Sequence, residues 1–129
     1  MEITHLNPSG MHSSPAFSQG VLVRAAGSML YVGGQNGADA SGAIVPGGLG
    51  PQTEQALRNV LAVLAETGAD QSNVVRMAIY MVDGQSVDKG YEASMKVWGQ
   101  NPTAVTVQTV ANLGRPEALV EIEAIAAIE

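Results

Sequence analysis

An apolar stripe followed at once by an apolar run of a different period constrains this chain more than any other feature. Between Gln52 and Thr67, the residues Leu57, Val60, Leu61 and Leu64 recur at i, i+3, i+4 and i+7, the spacing of one helix face. Gly68 supplies a C-terminal stop. Residues 73–82, NVVRMAIYMV, are rich in β-branched and apolar side chains and follow the helix as the next strand of an α+β layer does. A helix with one apolar stripe covers one face of a sheet and leaves the other face to something else.

The remaining segments extend that layer. The runs 20–25 and 29–35 are β-type and are divided by a Gly27-Ser28 turn signal, which predicts a hairpin. Residues 36–50 carry Gly, Asp, Ser and Pro at the density of a loop. A second helix is expected over 86–98, with Val87, Tyr91, Met95 and Trp98 near one face, although Gly90 costs it about 1 kcal/mol in propensity. The segment 103–110 is an uncharged β-run, and 119–125 is a strand placing Leu119, Glu121, Glu123 and Ile125 on one face. The order is hairpin, helix, strand, helix, strand, strand. Two helices covering one face of such a sheet leave a bare face, and a symmetric homo-oligomer that packs its sheets together is the economical way to cover it.

Composition supports one domain over residues 1–129 and self-association. Charged residues are 14% of the chain, against roughly 25% in typical soluble domains. A net charge of −6 with six scattered cations argues against a nucleic-acid surface, since phosphate neutralisation needs clustered Lys and Arg. No apolar run has the length of a membrane span and the N-terminus lacks a signal-peptide pattern, so a cytoplasmic location is expected. The absence of cysteine excludes disulfides, thiolate catalysis and Cys-ligated zinc. His5 and His12 lie in a Pro- and Gly-containing stretch and suggest no metal site; no cofactor is expected either.

Few classes of chemistry survive this inventory. Neither histidine has a serine in a sharp-turn context, which removes a Ser-His-Asp hydrolase. The glycines of GGQNGADASG precede a loop rather than a helix N-terminus, so they make a poor phosphate cradle. Arg24, Arg58 and Arg76 fall singly in a strand, a helix and a strand, and Arg115 with Glu117 falls in a turn; all read as surface charges. Glu121 and Glu123 remain, either as carboxylates shown to water or as a positioned general acid or base.

Five ordered segments carry a resemblance. FSQGVLV (17–23), LYVGGQNG (30–37), GGLGPQTEQALRNVLAVLAETGAD (47–70), VVRMAIYMVD (74–83) and ALVEIEAIA (118–126) resemble the reactive-intermediate deaminase (Rid, or YjgF-type) family, formerly called endoribonuclease L-PSP. The resemblance covers nearly the whole chain. It implies a chorismate-mutase-like α+β domain: a mixed six-stranded sheet, two helices on one face, and a homotrimeric barrel with ligand clefts between subunits. It also implies hydrolysis of amino-acid-derived enamines or imines to ammonia and a keto acid.

Carried over by position, the family's last-strand glutamate falls on Glu121, and its early tyrosine falls on Phe17, which lacks the hydroxyl. A Ser-Gly-Gln stretch falls on Gly33, Gly34 and Gln35. The arginine that grips the substrate carboxylate falls on Val105; a shift of one position gives Ala104 or Thr106, and none of these is cationic. The expectation is therefore an arginine-less Rid relative with a small-molecule cleft lined by Phe17, Gly33, Gln35, Tyr91, Val105, Val107 and Glu121, and with Glu121 as acid or base. The rival expectations are a noncatalytic metabolite-binding or regulatory trimer and, more weakly, an endoribonuclease.

Overall fold

A computed structural model describes all 129 residues. The elements are β1 (Glu2–Leu6), β2 (Gly20–Arg24), β3 (Ser28–Gln35), α1 (Leu49–Ala65), β4 (Val74–Val82), α2 (Val87–Trp98), β5 (Ala104–Val110) and β6 (Val120–Ile128). One 3₁₀ turn, Gln71–Asn73, leads into β4 and is capped by Asp70. The fold is α+β with a mixed sheet, as expected, and its six strands divide into a main sheet ordered β3-β6-β4-β5 and a separate β1-β2 ladder. Strands β4 and β5 run parallel, joined by α2 as a crossover, while the other neighbours are antiparallel. No helix is long and apolar enough to cross a membrane.

The hairpin expected between 20–25 and 29–35 does not form. β2 pairs with β1, and β3 pairs with β6 from Ser28 opposite Ile128 to Gln35 opposite Ile122. The backbone accounts for the break. Ala25 sits at φ 54, and the Gly27 N–H donates to the Ile128 carbonyl at 2.9 Å, which turns the chain away from β2 before β3 begins. The Ser18 N–H, donating to the Thr103 carbonyl at 2.9 Å, ties the segment before β2 to the start of β5.

Both helices lie on one face of the main sheet. Leu57, Val60 and Leu64 of α1 are fully buried against Val32, Met77, Ile122, Ala124 and Ala126. The helix starts at Leu49, three residues earlier than the apolar stripe suggests. Pro51 falls in the first turn, where its missing N–H costs nothing. The Gln52 side chain then pins the entry to β6, accepting from the Leu119 N–H at 2.8 Å and donating to the Glu117 carbonyl at 3.3 Å. Strand alternation sorts the rest: Met77, Ile79, Met81, Val105, Val107, Val120 and Ile122 face the helices, while Arg76, Ala78, Tyr80, Glu121 and Glu123 face away.

Candidate functional site

The expected site residues separate into two groups. Phe17, Tyr91, Val105 and Val107 come together on the helix side, lining a cavity of about 520 Å³ between α2 and the sheet. Met77, Met81 and Trp98 form much of its wall, and Thr53, whose buried hydroxyl has no hydrogen-bond partner, also lines it. Of the α2 face read from the sequence, only Trp98 is buried. Val87 and Tyr91 stay exposed because the sheet does not close fully against this end of the helix.

Glu121 and Gly33 belong to the bare side, and Gln35, opposite Ile122 beyond a bulge, ends the edge strand β3. Glu121 is half-buried on β6, and none of the chain's ion pairs includes it. Its side chain lies over Gly34: a Cβ there would stand 2.8 Å from the Glu121 Cδ, so the glycine makes the room the carboxylate occupies. The Gln35 amide folds back onto the Gly33 carbonyl at 3.1 Å. Within one protomer, then, the carboxylate and the apolar cavity are on opposite faces of one sheet. Val120 and Ile122, the neighbours of Glu121 in sequence, line the cavity that Glu121 itself does not reach.

The register puts no cation on β5 in place of the missing arginine. Val105 pairs with Met77 and turns to the helices; the β5 residues on the Glu121 face are Ala104, Thr106 and Gln108. None carries a charge. Arg24 binds Glu2 at 3.2 Å, Arg58 lies 3.6 Å from Glu54, and Arg115 donates to the Gly42 carbonyl and lies 3.9 Å from Glu117.

Arg76, read from the sequence as a surface charge, is on the bare face and donates to Thr106 Oγ1 at 2.9 Å. Beside it, Tyr80 donates its hydroxyl to Glu123 at 2.8 Å. That bond, with some desolvation and the Glu123 charge, raises the Tyr80 phenol above its ordinary value of 10.0; Arg76 opposes the rise. The signal was present in period-2 alternation, which places Arg76, Ala78 and Tyr80 on one side of β4. It was unreadable until β6 was known to lie alongside with its glutamates on that side.

The expected loop 36–50 ends at Gly48, just before α1 begins, and it is internally bonded and tied to α1. Asp39 accepts from the Ser41 hydroxyl at 2.6 Å and from the N–H groups of Ser41 and Ala43, and these bonds, the hydroxyl first, hold its carboxyl below the usual value. Asn59 of α1 donates to the carbonyls of Asn36 and Ala38. His5 meets the Ser18 hydroxyl at 2.8 Å, and His12 stands 6.2 Å from the Phe17 ring.

Comparisons with known proteins identify the family and the fold. Residues 9–128 match the family model described as Endoribonuclease L-PSP. A 2-iminobutanoate/2-iminopropanoate deaminase of Rattus norvegicus is 37% identical over 112 residues, covering 86% of this chain and 79% of that protein. A RutC family protein of Pyrococcus abyssi is 32% identical over 111 residues, covering 85% and 84%. Among solved structures, YyfB of Yersinia pestis, a protein of unknown function in the conserved Rid family, superposes with a TM-score of 0.87 at 33% identity, covering 99% of this chain and 100% of that one. RidA of Psychrobacter sp. superposes with a TM-score of 0.72 at 27% identity, covering 87% and 88%.

Proposed function

Because the chain belongs to the Rid (YjgF-type, endoribonuclease L-PSP) family, we propose that it works as a cytoplasmic homotrimer that binds a small metabolite in clefts between subunits and hydrolyses an imine or enamine there. One observation carries the reading: the candidate residues occupy opposite faces of one sheet, so a single protomer cannot present them to one ligand. Packing of neighbouring sheets brings the Glu121 side of one subunit to the Phe17, Tyr91, Val105 and Val107 side of the next. The bare face suits such an interface, with Met29 and Tyr31 exposed at 43% and 71% beside Arg76 and Glu123.

In that cleft Glu121 takes a proton from water as the water adds to the sp² carbon, then returns it to the departing nitrogen. The half-buried carboxylate, unpaired within its own subunit, is free to do so. The test supplies imines generated in situ and follows ammonia or keto product. The expected result is release that depends on the protein and falls sharply with Glu121→Gln; a rate equal to the protein-free control would refute hydrolysis.

A second reading, a noncatalytic metabolite-binding trimer, is favoured by Val105, an apolar residue at the position to which the resemblance carries the carboxylate-gripping arginine, on a strand with no cation. Ligand-dependent thermal stabilisation without turnover would select it. Ribonuclease activity fits poorly with a net charge of −6, and no cleavage of single-stranded RNA at low salt is expected.

A further inference from the structure

We propose that the cavity between α2 and the sheet takes an uncharged aromatic molecule and discriminates against its carboxylated analogue. This deepens the reading above, on which it rests for treating the cavity as the apolar half of the cleft.

The first argument is the concentration of aromatic side chains. Aromatic residues are only 4% of the chain, yet its single Phe and single Trp, Phe17 and Trp98, both line this cavity, joined by Tyr91. Three methionines, Met77, Met81 and Met95, complete the wall. Thioethers on unbranched stems adapt to flat ring edges and make favourable sulfur–aromatic contacts, so this wall suits a ring better than a branched or polar ligand. The volume of about 520 Å³ is in the range of small-molecule sites and far above the voids left by ordinary packing.

The second argument is charge. Among the 24 lining residues there is no lysine, arginine or histidine, and the one charged side chain is Asp88, in the first turn of α2. A carboxylate entering here would leave water, meet no cation, and approach a like charge. A neutral ring gives up only apolar hydration.

Trp98 is 7% exposed and is the chain's sole tryptophan, so its emission reports on the cavity directly. The experiment titrates the full-length protein with para-cresol and, separately, with benzoate, reading Trp98 fluorescence and thermal stability. The expected result is a saturable response to para-cresol and binding of benzoate weaker by about tenfold or more. Val87→Phe, at an exposed position on the rim, is expected to weaken para-cresol, and Asp88→Asn to narrow the gap between the two probes.

Imine hydrolysis is followed separately on the same protein, so a saturable para-cresol response without hydrolysis counts against the catalytic reading alone, and the two failures can be told apart. Equal or tighter binding of benzoate, no saturable response to para-cresol, or indifference to Val87→Phe would overturn the proposal.

Discussion

The two faces of the main sheet are built from the same strands and have opposite characters. On β6 alone, Val120, Ile122, Ala124 and Ala126 are buried beneath the helices, while Glu121, Glu123 and Ile125 alternate with them on the open side. The covered face is apolar, packed shut beneath α1 and opened by the cavity beneath α2. The open face mixes Tyr31, Met29 and Ile125 with Arg76, Tyr80, Glu121 and Glu123, most of them partly accessible. The difference teaches that a single-residue step along one strand separates the buried core from the carboxylate to which the proposed function assigns the chemistry. Substitutions at neighbouring positions should therefore damage different properties.

The largest effect is expected on the covered face. Leu64 is fully buried, and Leu64→Ala should cost about 2–5 kcal/mol through lost transfer energy and the cavity left behind, measured by urea unfolding. If the faces are independent, the folded fraction of that variant keeps its Glu121-dependent rate.

Gly34→Ala tests the open face in the opposite sense. The added Cβ meets a side-chain end rather than backbone, so Glu121 swings aside and the unfolding free energy changes by less than about 1 kcal/mol. Imine hydrolysis should nevertheless fall as far as in Glu121→Gln. A variant of Gly34 that kept full activity would show that the observed position of Glu121 is not the working one.

Smaller effects come from titration on and beyond the open face. Tyr80 is raised above 10.0 by its bond to Glu123, so its contribution to stability is complete below that value and is lost as pH rises through the folded-state pKa. Ultraviolet titration should show Glu123→Gln ionising this tyrosine at lower pH. Asp39 is lowered from 3.8, so its contribution is present above that value and fades as pH falls through the still lower folded value. Ser41→Ala should move the Asp39 carboxyl resonance back toward the ordinary range, with little change in the melting temperature.

The two faces also differ in how far they were legible in the sequence. The α1 stripe and the strand alternation of 119–125 were readable because helix and strand periods are local, and both lead to the observed burial. The β2–β3 hairpin was misread because its fate depends on Ile128, a hundred residues away, accepting the Gly27 N–H. The side on which Val105 lies was equally hidden. A shift of one residue in strand register exchanges the faces, and only pairing with Met77 assigns Val105 to the helices and Ala104 and Thr106 to the side of Glu121. Membership of the family was legible from ordered segments, whereas the division of the candidate site between two faces required the topology.

Subunit complementation tests that division most directly. Glu121→Gln removes the open-face group and Val107→Trp fills the cavity face; each homo-oligomer should be inactive in imine hydrolysis. Co-assembling the two in equal amounts pairs intact faces from different subunits at about a quarter of the clefts in a ring with heterologous contacts. The expected result is activity recovered to about that fraction of the unmodified protein. A mixed assembly as inactive as its parents would contradict a cleft shared between subunits.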